Sequence, residues 1–359
     1  MKITDIDLLP IKKHFPLNAK RVRARAPKLI ASVINDTDVI SSVPSIRHLR
    51  PEHIQALSGG VDAATYLVSL PKEQVIIKLS YIGVDAEAEA IEAWRKRHVR
   101  VPRMIKTGVV PSTRNDKYPV KYLVQQALLD DTGRLIETCA TYLTRAPHKA
   151  RKIGVLLGRE LDKLHSCVSD RRFGDFNDTR RRPTAYDTWN DYVYTAIKKQ
   201  KDYLVSIGVS REDLRAVLRF VKSYDFVRKG RYLHGDFSIR NVAVKSYDPL
   251  KISVFDPNPI IGDPTWDVSF IWNNYQFEKR RIAVDKSQHD LFVRNQQLWI
   301  GFKQGYNRTI DEGSLAVSSV IQAIYQAQYT EGIKDAIGAK VRKEYIKDRI
   351  AFLLEQAEI

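Results

Sequence analysis

Cysteine is rare in this chain, and long apolar runs are absent from it. Its 359 residues include two cysteines, Cys139 and Cys167, which leaves no basis for a disulfide framework or a cysteine-based metal site. No stretch approaches the roughly 18 consecutive apolar residues of a membrane-spanning helix. The N-terminal sequence MKITDIDLLPIKKHF also lacks the apolar centre of a signal peptide. From these absences we expect a cytoplasmic protein without a membrane partner.

Acidic residues are outnumbered by basic ones. The chain has 42 Asp and Glu against 59 Lys and Arg, which gives a formal net charge of +17. Such a charge is compatible with an anionic partner such as nucleic acid, but Lys and Arg also cover the solvated faces of ordinary proteins. Compact basic clusters occur at 20–25 and 180–182. Nucleic acid is therefore the less favoured partner, although the charge keeps it open.

Length and composition are those of a globular protein with two or three structural units. The N-terminal part mixes basic and apolar residues, the next part is rich in β-type runs, and the remainder is mostly helical in pattern. We therefore expect a basic extension or cap at residues 1–50, a β-sheet unit with one helix at 51–126, and a mainly helical unit at 127–359.

The densest concentration of chemically useful residues lies between positions 231 and 270. A His-Gly-Asp triplet ends at Asp236, Asn241 follows five residues later, and the apolar run ISVF leads towards Asp256. The runs NVAV and ISVF flank the turn-prone segment SYDPLK, a pattern that predicts a β-hairpin. The acidic-polar loop and the later Asp would then project from the same end of this hairpin.

These residue types suit phosphoryl transfer. A carboxylate such as Asp236 can orient an attacking hydroxyl and accept its proton. The amide oxygen of Asn241 and the carboxylate of Asp256 are hard ligands for a Mg²⁺ ion that bridges nucleotide phosphates. Asp and Asn are also ordinary turn residues, but turn chemistry does not explain the triplet, the later Asn and the strand-ending Asp together. The pattern predicts a phosphotransferase.

The sequence HGDFSIRN, followed by VFDPNPIIGDPTWDVSF, resembles the catalytic segment of the aminoglycoside phosphotransferase and choline kinase family. This family is the small-molecule branch of the protein-kinase-like fold. The resemblance implies that Asp236 is the catalytic base, that Asn241 and Asp256 bind the metal, and that Ser238 lies near the phosphates. It also implies that Asp267 braces the catalytic loop.

Two features separate this segment from that of protein kinases. Gly235 occupies the place of the Arg that reads a phosphorylated activation loop, and Pro257 and Asn258 follow Asp256 where Phe-Gly would stand. No Ala-Pro-Glu sequence occurs downstream. Control by activation-loop phosphorylation is therefore not expected, and a protein kinase is the weaker interpretation.

Residues 54–80 predict a strand, a loop and two further strands. The loop contains Ser58, Gly59 and Gly60, whose backbone N–H groups could approach phosphates. It lacks the Gly-Lys-Ser/Thr ending of a Walker A loop. The following apolar run VIIK ends at Lys78, as in kinase-like folds where a strand Lys reaches the α- and β-phosphates.

The next segment, VDAEAEAIEAWRKR, has a strong helical propensity. Kinase-like folds hold the strand Lys with a Glu from this helix. We assign this role to Glu87, because Ile91 and Trp94 follow four and seven residues later as buried companions. Glu89 is the alternative.

Two further segments are interpreted through the family resemblance. The strand YPVKYLVQQALL leads into the hinge, where backbone groups of the family hold the purine. The matching stretch here is 125–128, with Gln126 and Leu128 as the expected nucleotide contacts. The sequence LDKLHSC resembles the family's Leu-His-Ser helix end, and we interpret His165 as structural.

Together these features predict an α+β protein with a bilobal, protein-kinase-like fold. A small antiparallel sheet would bind the nucleotide, and a larger helical lobe would carry the catalytic loop and the acceptor. The expected cofactors are ATP, or GTP, and Mg²⁺, and the expected acceptor is a small-molecule hydroxyl. Aminoglycoside, macrolide, choline, sugar and amino-acid hydroxyls all stay open. The alternative is a nucleotide-binding regulator or pseudokinase that binds an anionic partner through its basic surface.

Overall fold

The computed structural model describes residues 15–57, 63–71, 73–81, 83–110, 119–130, 132–175, 186–332 and 336–357. Contacts divide the chain into two units. The first, which we call the sheet unit, is drawn from Met1–Lys96, Arg100–Ile136 and Lys245–Asp256. The second, the helical unit, is drawn from Arg97–Val99, Glu137–Val244 and Pro257–Ile359. One boundary between the units lies after Ile136, whereas we expected it after residue 126. The sheet unit also includes Lys245–Asp256, which comes from the later hairpin.

The sheet unit is built on a five-stranded antiparallel sheet in the order β1-β2-β3-β5-β4. Its strands are Ile54–Ala56 (β1), Ala64–Ser69 (β2), Gln74–Ser80 (β3), Met104–Val109 (β4) and Lys121–Gln126 (β5). The predicted strand-loop-strand-strand pattern is present. Strand β3 is central, and the buried residues 75–77 precede Lys78. An inner strand therefore presents this lysine.

Helices cover the sheet. They are Phe15–Ile34 (α1), Thr37–Ser42 (α2) and Val84–Arg95 (α3). The apolar stripe of α1 is Val22, Ala26, Leu29, Ile30 and Val33, and it packs into the core formed with β2 and β3. This spacing is that of one helix face. The N-terminal region is therefore part of the sheet unit.

The helical unit contains nine helices among the residues that the structure describes. They are Cys139–Arg145 (α4), Ala150–Leu164 (α5), Trp189–Lys199 (α6), Lys201–Ser206 (α7), Arg211–Ser223 (α8), Thr265–Val284 (α9), His289–Gly305 (α10), Glu312–Gly332 (α11) and Ala336–Ala357 (α12). The core of this unit joins α6, α8, α11 and α12 and includes the fully buried Trp189, Val317 and Tyr345. Among the described residues, none of the helices is both long and apolar enough to cross a bilayer.

Short strands position the segment that carries the chemistry. Strands Gly174–Asp175 (β6), Arg231–Leu233 (β7) and Ile260–Gly262 (β10) form an antiparallel sheet in the order β6-β10-β7. Strands Val242–Tyr247 (β8) and Leu250–Val254 (β9) form the predicted hairpin. The small antiparallel sheet and the larger helical part confirm the predicted α+β class.

Candidate active site

The loop of residues 234–241, which the resemblance identifies with the family's catalytic loop and which we call the catalytic loop, connects β7 to β8 in the helical unit. Gly235 has a φ of +76°, in the left-handed region that favours glycine. A Cβ atom at this position would overlap the carbonyl oxygen of Asn258. Asn258 in turn donates its backbone N–H to the carbonyl of His234 at 2.9 Å. The glycine of the His-Gly-Asp triplet is thus required by the close approach of these two backbone segments.

Asp267, in the first turn of α9, fixes the start of this loop. Its carboxylate accepts the backbone N–H of His234 at 2.7 Å and that of Gly235 at 2.8 Å. The Asp267 side chain is fully buried, so both bonds are shielded from water, which makes them costly to break. The structure therefore has Asp267 in the bracing position that the resemblance implies.

Asp236 and Asn241 contact each other across the loop. The side-chain nitrogen of Asn241 donates to Asp236 Oδ2 at 3.0 Å and to the Asp236 backbone oxygen at 2.9 Å. Ser238 lies between them, and its N–H donates to the same backbone oxygen at 2.9 Å. The Asp236 residue is solvent-exposed. The loop thus presents an accessible carboxylate whose orientation is set by a neighbouring amide.

In the sheet unit, Lys78 lies between two carboxylates. Its ammonium nitrogen is 2.6 Å from Glu87 Oε2 and 2.5 Å from Asp256 Oδ1. The Glu87 side chain is 5% exposed and the Asp256 side chain is 50% exposed. One partner is therefore a buried anchor, and the other is an accessible group that could bind a ligand.

Burial disfavours the charged form of Lys78, but the carboxylates of Asp256 and Glu87 outweigh it and raise the pKa of Lys78 above its ordinary 10.5. The ammonium group therefore stays charged at neutral pH. A fixed cation of this kind can neutralise charge on a nucleotide phosphate.

Asp256 follows β9 and has an unusual backbone conformation. Its φ is +53°, a left-handed value that few non-glycine residues adopt, although Asp tolerates it better than most. Such conformations concentrate at functional sites. The geometry turns the chain sharply where the carboxylate meets Lys78.

The donor chemistry of Asn241 and Asp256 fits Mg²⁺. Asp256 offers a carboxylate oxygen. The amide nitrogen of Asn241 is hydrogen-bonded to Asp236, which leaves the amide oxygen of Asn241 to bind a cation. Among the described residues, no group of three or more His, Cys, Asp or Glu could hold a metal ion. Mg²⁺ sites commonly use one or two carboxylates, with water and substrate phosphates as further ligands.

The other predicted nucleotide contacts fall in two places. Ser58, Gly59 and Gly60 lie outside the described residues. Gln126 ends β5, and its N–H donates to the carbonyl of Arg103 at 2.9 Å. The carbonyl of Leu128 accepts the N–H of Ile136 at 3.1 Å. Backbone hydrogen bonds within the sheet unit thus hold the predicted hinge stretch, residues 125–128, at Gln126 and at Leu128.

Sequence reasoning missed three contacts of the site. The Lys78–Asp256 ion pair joins residues far apart in the chain, and only the Lys78–Glu87 pair was predicted. His165, interpreted as structural, contacts both Asp267 and Tyr306 in the structure. Tyr306 follows a helix whose sequence contains no recognisable motif, so no signal pointed to it.

Comparison with known proteins identifies the family. Residues 53–298, more than half of the chain, match the family model of the APH phosphotransferase enzyme family. The chain therefore belongs to this family, and the resemblance of its catalytic segment is confirmed. Membership supports a phosphotransferase activity of the kinase type. No curated protein is similar enough in sequence to match.

Three solved structures of similar architecture are an aminoglycoside phosphotransferase, a choline/ethanolamine kinase family protein and an amicoumacin kinase. An aminoglycoside phosphotransferase APH(4)-Ia thermostable mutant has 12% identity and a TM-score of 0.53, with 89% of this chain and 97% of that chain covered. A choline/ethanolamine kinase family protein from Mesorhizobium loti has 14% identity, a TM-score of 0.51 and coverage of 92% and 98%. The amicoumacin kinase hAmiN has 12% identity, a TM-score of 0.51 and coverage of 94% and 96%. At these identities the likeness establishes the fold, which is protein-kinase-like.

Proposed function

We propose that this protein transfers the γ-phosphoryl group of ATP or GTP to a hydroxyl group of a small molecule, in a Mg²⁺-dependent reaction. The observation that carries the proposal is the catalytic loop. Its accessible Asp236 carboxylate is held by Asn241, and the loop itself is braced by the buried Asp267. A phosphotransferase needs such a fixed carboxylate because most of its catalysis is positioning and charge stabilisation.

In the proposed reaction, Asp236 accepts a hydrogen bond from the acceptor hydroxyl and then its proton. The hydroxyl oxygen bonds to the γ-phosphorus, the bond from that phosphorus to the bridging oxygen breaks, and the nucleoside diphosphate leaves. Lys78, positioned by Glu87, neutralises phosphate charge. Asn241 and Asp256 would hold Mg²⁺, which supplies further neutralisation of the phosphates when bound.

The remaining predicted residues are proposed as nucleotide contacts. Gln126 and Leu128 would contact the purine, and Ser238 would lie near the phosphates. The backbone of 58–60, with Ser58, Gly59 and Gly60, would cover the phosphates. These roles follow from the family pattern and are consistent with the positions of Gln126 at the end of β5 and of Leu128 two residues beyond it.

Two of the similar structures support the nucleotide and the kind of acceptor. The APH(4)-Ia mutant is a ternary complex with AMP-PNP and hygromycin B, and hAmiN is in complex with AMP-PNP, Ca²⁺ and Ami. Each pairs a nucleotide analogue with a small molecule. For this chain, the charge of +17 disfavours polycationic acceptors at long range, so the acceptor panel should include neutral and anionic hydroxyl compounds.

The experiment is ADP release from Mg²⁺-ATP by the purified protein in the presence of a panel of hydroxyl compounds. The panel includes aminoglycosides, macrolides, choline, sugars and hydroxy amino acids. We expect one class to stimulate release, and Asp236→Asn to reduce that rate by about 10²- to 10⁴-fold, the contribution of a general base. Nucleotide binding without stimulated release would favour the regulator or pseudokinase. Undiminished release by Asp236→Asn would refute the role of Asp236.

A further inference from the structure

Asp267 has a third polar contact besides the two loop amides. His165 Nε2 lies 3.1 Å from Asp267 Oδ2, the same oxygen that accepts the N–H of His234. Both side chains are fully buried. Three groups therefore converge on this carboxylate, and its orientation depends on His165 as well as on the loop.

His165 is itself held from its other side. Its Nδ1 lies 2.8 Å from the hydroxyl of Tyr306, and the two rings meet edge to face at 88°. Tyr306 is 5% exposed. In the tautomer that carries its proton on Nε2, the imidazole donates to Asp267 and accepts the tyrosine O–H at Nδ1. The contacts form a continuous chain from Tyr306 through His165 to Asp267.

Burial raises the pKa of the Tyr306 phenol well above its ordinary 10.0, with the nearby Arg308 acting in the opposite direction. The phenol therefore stays protonated at neutral pH, and it can serve as a hydrogen-bond donor. The chain of hydrogen bonds does not depend on titration of the tyrosine.

Four glycines place Tyr306 beside His165. Gly154 and Gly158 on α5 face Gly301 and Gly305 on α10, and a Cβ on any of them would overlap backbone atoms of the other helix. The two helices run parallel, because Gly154 meets residues 298–302 and Gly158 meets residues 302–306. Small residues spaced four apart allow this close backbone approach. Since His165 follows α5 and Tyr306 follows α10, the same register brings them together.

We propose that Tyr306 is a positioning residue of the 234–241 loop, acting through His165 and Asp267. Its hydroxyl fixes the His165 ring, which contacts the Asp267 carboxylate that binds the amides of His234 and Gly235, and through these contacts it sets the direction of Asp236. The kinetic part of this inference rests on the proposed function. The structural part, which concerns how firmly the 234–241 loop is held, does not rest on the proposed function.

The test compares two tyrosine variants in the full chain. Tyr306→Phe removes the hydroxyl but keeps the ring packed against His165. Tyr345→Phe is the matched control, because Tyr345 is also fully buried in the helical unit and its hydroxyl donates to Asn273 at 2.9 Å. Each variant loses one buried tyrosine hydroxyl and keeps its ring, so both should lower the denaturation midpoint. His165→Asn is the second variant, which breaks the chain one step nearer the loop.

The primary readout is amide hydrogen exchange of the 234–241 loop, which needs no catalytic activity. We expect exchange to be roughly 3- to 10-fold faster in Tyr306→Phe, the effect of one lost neutral hydrogen bond, at least as fast in His165→Asn, and unchanged in Tyr345→Phe. Unchanged loop exchange in Tyr306→Phe, whatever His165→Asn shows, or an equal increase in Tyr345→Phe, would overturn the proposal.

The second readout is turnover, which applies once an acceptor is known. Tyr306→Phe should lower kcat with little change in the KM for ATP, because the loop positions the hydroxyl and not the nucleotide. Tyr345→Phe should leave both values unchanged. If the wild-type protein transfers phosphate to no compound of the panel but loop exchange is faster in Tyr306→Phe, the result would contradict the proposed function and support the positioning role. A higher KM for ATP at constant kcat would contradict the positioning role alone.

Discussion

Lys78 is held by two carboxylates that differ in exposure. Glu87 is buried and remote from solvent, whereas Asp256 is half exposed and proposed as a metal ligand. Two carboxylates therefore share one ammonium group. Without Glu87, Lys78 would bind Asp256 alone and would compete with the metal for that carboxylate.

We predict that Glu87→Gln weakens the binding of Mg²⁺-AMP-PNP by roughly 10- to 150-fold, because a hydrogen bond to a charged group contributes about 1.5–3 kcal/mol. Isothermal titration calorimetry measures this affinity. Glu89→Gln, on the same helix, is the control and should change affinity by less than about threefold, as for most substitutions away from a site. Equal losses in the two variants would show that Glu87 has no special role.

Gly235 and Gly133 both have a left-handed backbone, but only Gly235 lies in close contact with another segment, so the two costs of adding a Cβ atom can be measured separately. Both have positive φ values, +76° and +78°, but a Cβ at Gly133 meets nothing within 4 Å, whereas a Cβ at Gly235 overlaps the Asn258 carbonyl. Gly133→Ala should lower the free energy of unfolding by about 1–2 kcal/mol, the cost of the left-handed conformation alone. Gly235→Ala should cost more, because the loop must also move.

Chemical denaturation followed by circular dichroism measures both values. Gly235→Ala should also reduce turnover, since the displaced residue precedes Asp236. If the two variants lose the same stability, then the close approach of the catalytic loop to Asn258 does not constrain the protein.

At the scale of elements, Asp36 links a helix to the sheet. Its carboxylate caps α2 by accepting the N–H groups of Asp38 and Val39 at 2.9 and 3.3 Å, and it accepts the hydroxyl of Tyr122 on β5 at 2.6 Å. The Tyr122 hydroxyl, with the two backbone amides, lowers the pKa of Asp36 below its ordinary 3.8, against the opposing effect of burial. The ionised form is therefore favoured in the folded state.

We predict that Asp36→Asn destabilises the protein in a pH-dependent way. Because the folded-state pKa lies below 3.8, the contribution of the carboxylate is fully present above pH 3.8 and is lost as the pH falls through the folded-state value. The difference in free energy of unfolding between wild type and Asp36→Asn should thus shrink on acidification below this pH. Urea titrations over a pH series measure it.

Tyr122→Phe provides the control for the contact between Asp36 and β5, because it removes the hydrogen bond that contributes most to lowering the pKa of Asp36. In the Tyr122→Phe background, Asp36→Asn should have a smaller effect, as in a double-mutant cycle between contacting residues. A stability difference that does not vary with pH would contradict the account of Asp36.

Local pattern was enough to predict the elements that carry the site. The hairpin of β8 and β9, the strand that presents Lys78 and the helix α3 all follow from short-range alternation, turn residues and helical propensity. Asp236 and Asn241, in the loop before β8, and Glu87, in α3, could be proposed as site residues because their spacing is local. The same reasoning could not supply contacts between remote segments.

At the scale of the whole molecule, the unpredicted features all depend on long-range contacts. Segment 245–256 belongs with the sheet unit although it follows the catalytic loop in sequence. Tyr306 reaches His165 only because four glycines set the register of α5 against α10. The hydrophobic pattern of a single segment could not predict the placement of 245–256 or the contact of Tyr306 with His165, because each depends on packing between two segments that are far apart in the chain.

The most direct test of the central claim is transfer of a labelled γ-phosphate from ATP to an acceptor. The wild-type protein with Mg²⁺ should move the label onto a hydroxyl compound of the panel. Asp236→Asn should bind AMP-PNP normally but transfer at least about 100-fold more slowly, as expected for loss of a general base. Label released only as inorganic phosphate, or equal transfer by Asp236→Asn, would contradict the assignment of this protein as a small-molecule kinase with Asp236 as its base.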